Sequence, residues 1–88
     1  MSVKHFDWDE EKNQKLKLER DISFEDVLVS IEEGNLLDIV AHPIRKNQQV
    51  MVVMLNSYVY LVPFVEDEEK VFLKTIIPSR KATKKYLL

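Results

Sequence analysis

The sequence predicts an α+β domain: a small antiparallel β-sheet with helices before and after it, in the order β-α-α-β-β-β-β-α, with all 88 residues in one domain. Two observations lead there. Phe24, Val27, Leu28 and Ile31 fall at i, i+3, i+4 and i+7, the clearest helical period in the chain. Between Leu36 and Ile77, four β-rich runs are joined by short polar links, too short for the crossovers that a parallel sheet needs.

Taken in order, residues 3–6 alternate apolar and polar (Val3-Lys4-His5-Phe6) and suit a short strand. Asp7 follows as a helix cap with Glu10 three residues on, a capping box with Asp in place of Ser. A helix is expected over 8–20. Only Trp8, Leu16 and Leu18 are apolar in it, so it should lie on the core by one thin stripe. Ser23 and Asp26 open a second helix over about 24–33, and Gly34 stands where a left-handed C-terminal cap is needed. Strands are then expected at Leu36–Ala41, Val50–Leu55, Tyr58–Val65 and Val71–Ile77. Their links are the polar loop 42–47 with Pro43, a two-residue turn at Asn56-Ser57 and the acidic turn 66–69. Pro63 hints at an edge or a bulge. Pro78 ends the last strand, and Ser79 caps a final helix through about Tyr86. Phe24, Val27, Leu28 and Ile31 should pack on the inward positions of the three long strands.

Composition excludes several classes of function. There is no cysteine, hence no disulfide scaffold, Cys-ligated zinc, thiol nucleophile or iron–sulfur cluster. No apolar run reaches the ~18 residues of a membrane span, and the acidic start does not read as a signal peptide. A cytoplasmic protein without membrane association is the expectation. Neither a P-loop nor HExxH nor GxSxG occurs, and the two histidines stand far apart. The acidic run 66–69 lacks the spaced ligands of a calcium loop and reads as a solvated turn. Neither metal nor cofactor is expected.

Charge is polarised along the chain. Residues 1–69 hold all fifteen acids and seven bases, 7 − 15 = −8, whereas the last nineteen residues hold six bases and no acid. That asymmetry suits a basic face offered to a polyanion, or a lysine-rich solvated tail. In the C-terminal segment Arg80 and Lys84 share one helical face, with Lys81 and Lys85 one position on. Such like-charge spacing is better tolerated where an anionic partner supplies countercharge. Arg forks onto phosphate and Lys supplies point charge. Tyr86 can stack on a base or pack its ring on the sheet, packing being the commoner use. The 42–46 loop adds His42, Arg45 and Lys46. With an unperturbed pKa near ~6.5, a loop histidine beside an arginine suits proton transfer in phosphodiester cleavage.

Three strings in this chain resemble a known family: Phe6-x-Trp8-Asp9-x-x-Lys12-Asn13 followed by Leu16, Ile22-Ser23-Phe24-Glu25-Asp26-Val27, and Ile76-Ile77-x-Ser79-Arg80-Lys81-Ala82-Thr83. Together they are similar to the BrnT-type toxins of bacterial type II toxin–antitoxin pairs, within the RelE-like group of small ribonucleases. The likeness runs nearly end to end, with residues 36–70 matching only in strand pattern. It implies a metal-free endoribonuclease that inhibits translation. It also implies a small DNA-binding antitoxin, of ribbon-helix-helix type, with two toxins flanking an antitoxin dimer. A homodimer is the other assembly considered. By the same resemblance Arg80 and Lys81 belong near the active surface. The family's acidic-arginine pair after the loop is replaced here by Asn47-Gln48-Gln49, so either Arg45 substitutes from the loop or cleavage is weak or lost.

The combined expectation places RNA across the sheet's open face, between the 42–46 loop and the last helix. Arg80, Lys81 and Arg45 hold the scissile phosphate, His42 moves the proton, and Lys46, Lys84, Lys85 and Tyr86 hold the strand. The alternative from the same residues is a non-catalytic module that binds an acidic partner in a toxin–antitoxin or repressor complex.

Overall fold

Asp9, not Asp7, opens the first helix. In the computed structural model, which describes residues 4–88, the first strand β1 (His5–Trp8) runs on through Trp8, and α1 spans Glu10–Arg20. β1 pairs with a strand near the far end of the chain, Trp8 opposite Leu73, which keeps Trp8 extended and delays the helix. The Asp9 carboxylate accepts from the N–H groups of Glu11 and Lys12. Val3, expected at the start of this strand, lies outside the described residues. In α1 only Asn13 and Leu16 are buried, while Leu18 is 88% exposed, so the apolar stripe is narrower than the three residues expected.

The second helix, α2 (Phe24–Glu32), carries both halves of the capping box between Ser23 and Asp26. It closes on Gly34, at φ +86°, with Gly34 N–H bonded to the Ile31 carbonyl and Asn35 N–H to that of Ser30. That pair of bonds is a Schellman motif, and the left-handed residue it needs is the chain's one glycine. Phe24 and Val27 are fully buried, and Leu28 and Ile31 flank them half-buried.

The remaining strands are β2 (Leu36–Ala41), β3 (Gln49–Leu55), β4 (Tyr58–Glu66), β5 (Lys70–Leu73) and β6 (Ile77–Pro78), followed by α3 (Arg80–Leu87). The sheet order is β1-β5-β4-β3-β2, with β6 beside β4. It is a mixed sheet, a correction to the antiparallel expectation: β1 lies parallel to β5, and the other pairs are antiparallel. The two helices between β1 and β2 supply the crossover that lets the N-terminal strand reach the sheet's far edge.

The single strand expected over 71–77 is two. Its break lies beside Pro63, which has no N–H to give on that side of β4, while its carbonyl accepts from Lys74 N–H at 2.8 Å. The chain leaves the ladder there, drops Ile76 fully into the core and returns as β6, opposite Tyr60 and Leu61. The Arg20 guanidinium donates to the Ile76 carbonyl at 2.7 Å and pins the detour to the end of α1.

At the β3–β4 turn, Asn56 and Ser57 both have positive φ (52° and 63°), the signature of a type I′ hairpin. The register then gives each face of the sheet its own cover. Met51, Val53, Leu55, Val62, Phe64 and Leu73 pack beneath α1 and α2. Trp8 stacks on Phe24 there, with ring centroids 5.5 Å apart. Val50, Val52 and Val59 are also buried but point to the opposite face, the one on which α3 packs.

Candidate nucleic-acid interface

α3 and its cap are held to the sheet by three hydrogen bonds, and these fix which of its faces is left free. Ser79 caps it, its Oγ accepting from Ala82 N–H at 3.0 Å. Ser79 N–H donates to the Val59 carbonyl, and Val59 N–H donates to Thr83 Oγ1 at 2.9 Å. Val59 therefore completes both of its outward backbone bonds with α3 instead of a strand. Thr83 passes its own proton to the Ser79 carbonyl at 2.7 Å. Near the far end, the Tyr86 hydroxyl donates to Asp38 Oδ2 on β2 at 2.8 Å. The helix thus runs from the outer edge of β4 across the sheet towards β2.

With Ser79, Ala82, Thr83 and Tyr86 turned to the sheet, Arg80, Lys81, Lys84 and Lys85 are all exposed. At 1.5 Å rise per residue, Arg80 and Lys84 stand about 6 Å apart along the axis, as do Lys81 and Lys85. Among the described residues none of the four is in an ion pair. The three bridges present join Lys4 to Glu66, Lys17 to Glu25 and Lys70 to Asp7. Lys85 Nζ sits 5.4 Å from the centre of the Tyr86 ring. Tyr86 is half-buried, and its hydroxyl is committed to Asp38, which holds its proton on and raises its pKa above the usual 10.0.

The loop after β2 is organised by His42. Its Nδ1 accepts from the N–H groups of Ile44 and Arg45, both at 3.1 Å, which leaves the ring proton on Nε2. His42 N–H donates to the Gln48 carbonyl and closes the loop's neck. Arg45 and Lys46 are exposed. This loop lies four residues beyond Asp38 along an extended strand, about 13 Å at 3.3 Å per residue. No hydrogen bond or ion pair among the described residues joins it to α3.

The structure thus gathers Arg80, Lys81, Lys84 and Lys85 on one surface and His42, Arg45 and Lys46 on another. It does not bring the two groups around a shared recess. The main hollows lie elsewhere. One of about 320 Å³ sits between α2 and the β3–β4 turn, lined by Asp26, Ser30, Glu33, Asn35 and Asn56 among others, and the rest border α1 and the β4–β5 turn. Among the described residues no three His, Asp or Glu side chains stand together to hold a metal ion, and no helix is long and apolar enough to cross a membrane.

Two residues that organise the site were not singled out in the sequence. Asp38 is a lone acid inside an apolar strand, and Thr83 is an ordinary helix residue. Asp38's interruption of Leu36–Ala41 was the one available signal. Compared with models of known families, with curated proteins and with solved structures, the chain gives no significant match.

Proposed function

We propose that this chain is the toxin of a bacterial type II toxin–antitoxin pair, a BrnT-type, RelE-like endoribonuclease that needs no metal and holds RNA on the outer face of α3. The observation that carries the reading is the row of four exposed cations at Arg80, Lys81, Lys84 and Lys85, none in an ion pair among the described residues, on a helix anchored at Ser79, Thr83 and Tyr86. A fixed cationic row gives phosphates a preformed surface, and countercharge relieves the repulsion along the helix. The three family-like strings supply the rest of the support: their Trp8, Asn13, Ser23, Phe24, Ser79 and Thr83 are the residues that stack, staple and cap this fold.

In the proposed reaction the RNA 2′-hydroxyl attacks the adjacent phosphorus, the O2′–P bond forms and the P–O5′ bond breaks. One proton leaves O2′ and one is delivered to O5′. Arg80 and Lys81 neutralise the phosphate oxygens. The strand continues over Lys84 and Lys85 towards β2 and the 42–46 loop, where Arg45 and Lys46 take further phosphates; His42, expected to move the proton, lies on that loop and not beside Arg80 and Lys81, so the two protons are exchanged with water at the scissile phosphate.

Expression without an antitoxin in a bacterial host should arrest growth. Arg80→Ala should relieve the arrest with folding unchanged, and purified protein should cleave RNA in the presence of a chelator. Unaffected growth at high expression, together with intact RNA, would overturn the reading.

A second reading, a non-catalytic interaction module, draws on one observation: the α3 cations are exposed to solvent, so water is not excluded from a phosphate bound there. Metal-independent cleavage lost in Arg80→Ala supports the nuclease, and retention of RNA or an acidic partner without cleavage supports the module.

A further inference from the structure

Among the described residues the sheet has two open edges, and the register fixes which backbone groups each one presents. There β2 pairs with β3 alone. The bond from His42 N–H to the Gln48 carbonyl continues that ladder. By antiparallel alternation Asp38 and Val40 therefore turn their amides to β3, while Ile39 and Ala41 turn theirs outwards. The strand reads Leu36-Leu37-Asp38-Ile39-Val40-Ala41, with Ile39 46% and Val40 38% exposed. Without Asp38 it would be an uncharged, apolar, β-prone edge, the type that other chains add to.

Asp38 spends both of its oxygens on this edge. Oδ1 accepts the outward N–H of Ile39 at 2.8 Å, and Oδ2 accepts the Tyr86 hydroxyl at 2.8 Å. The opposite edge repeats half of the device. Among the described residues β1 pairs with β5 alone, the bond from His5 N–H to the Glu69 carbonyl leaves the Trp8 amide facing outwards, and Asp7 Oδ1 accepts it at 2.9 Å.

We infer that Asp38, held in place by Tyr86, closes the outer edge of β2 to strand addition by a second copy of this chain. A second copy is the natural occupant because the edge is its own antiparallel complement. Its outward amides, at Ile39 and Ala41, are symmetric about Val40. A two-fold axis there sets Ile39 of one copy against Ala41 of the other and apolar side chains against each other on both faces. That pairing requires the Ile39 N–H that Asp38 occupies. Turning the carboxylate away also breaks its bond to α3, so the C-terminal helix controls whether the edge is available.

Sedimentation velocity across a micromolar-to-millimolar range tests this, with far-UV circular dichroism as the check on folding. The wild-type chain is expected to sediment as a single copy. Asp38→Val should shift the weight-average mass towards twice that value. Tyr86→Phe, which keeps the ring's packing and leaves β2 untouched, should shift it in the same direction by less. Adding Ala41→Pro to Asp38→Val removes an outward N–H that β3 does not use, and should restore the single copy. A single copy for both Asp38→Val and Tyr86→Phe overturns the inference. So does self-association that persists in Asp38→Val/Ala41→Pro, or a wild-type chain that already pairs and is split by Ala41→Pro.

Discussion

The carbonyl oxygen of the Asn13 side chain accepts the backbone N–H of Phe24 at 2.8 Å, and both residues are fully buried. Phe24 is the first residue of α2, where an N–H has no partner within the helix. The Asn13 amide nitrogen donates to Glu25 Oε1 at 2.6 Å, so one side chain of α1 fixes the start of α2. Asn13→Ala leaves the Phe24 N–H buried and unpaired. It should lower stability by about 1–3 kcal/mol, read from the urea midpoint at unchanged m-value. Asn13→Asp keeps an acceptor but sets a carboxylate against Glu25 and Glu10, so it should cost more at neutral pH than in mild acid.

The same contact gives the chain a pH dependence. Hydrogen bonding from Asn13 holds the Glu25 carboxyl below its usual 4.5, and backbone bonds from Lys70 and Glu69 hold Asp67 below 3.8. Both groups bind protons more readily when the chain is unfolded. Their contribution is therefore present above those ordinary values and is lost as pH falls through the depressed ones. Thermal unfolding should show stability declining below pH 4.5, with a shallower decline in Glu25→Gln.

On the alkaline side the sign reverses. Tyr86 donates to Asp38 only while protonated, and its pKa is raised above 10.0. Its contribution is complete below pH 10 and disappears as pH rises through the raised value. Tyr86→Phe should remove that alkaline component of unfolding.

Backbone strain at the β3–β4 turn is open to relief. Ser57 adopts φ 63°, a conformation costing a non-glycine residue about 1 kcal/mol or more. Ser57→Gly gives the Asn-Gly pair preferred in type I′ turns. It should stabilise the protein by about 0.5–1 kcal/mol in urea unfolding.

The outer face of α3 should affect binding and leave folding alone. For a single-stranded RNA, each neutralised phosphate contributes about −0.7 to the slope of log affinity against log salt. Arg80→Ala/Lys84→Ala should therefore flatten that slope by about 1.4 in a fluorescence anisotropy titration, with an unchanged urea midpoint. Thr83→Val should do the reverse. It leaves Val59 N–H without its acceptor and should lower stability by about 1–3 kcal/mol.

What the amino-acid sequence determined by itself was local. The Ser23 capping box, Gly34 at its left-handed position, the Asn56-Ser57 turn, the Ser79 cap and the apolar period of α2 all depend on residues within a few positions of each other, and each appears in the structure where its spacing put it. Tertiary structure decided whatever joins distant segments. β1 lies parallel to β5 because two helices carry the chain across the sheet, and that pairing moved the cap of α1 from Asp7 to Asp9. Pro63 split the expected last strand because the ladder fails on its outer side. The basic residues were legible as a group, but their direction was set by Thr83 meeting Val59 and Tyr86 meeting Asp38, 24 and 48 residues away. Spacing fixes which residues share a helix face, and only packing against the rest of the chain fixes which face is turned to solvent.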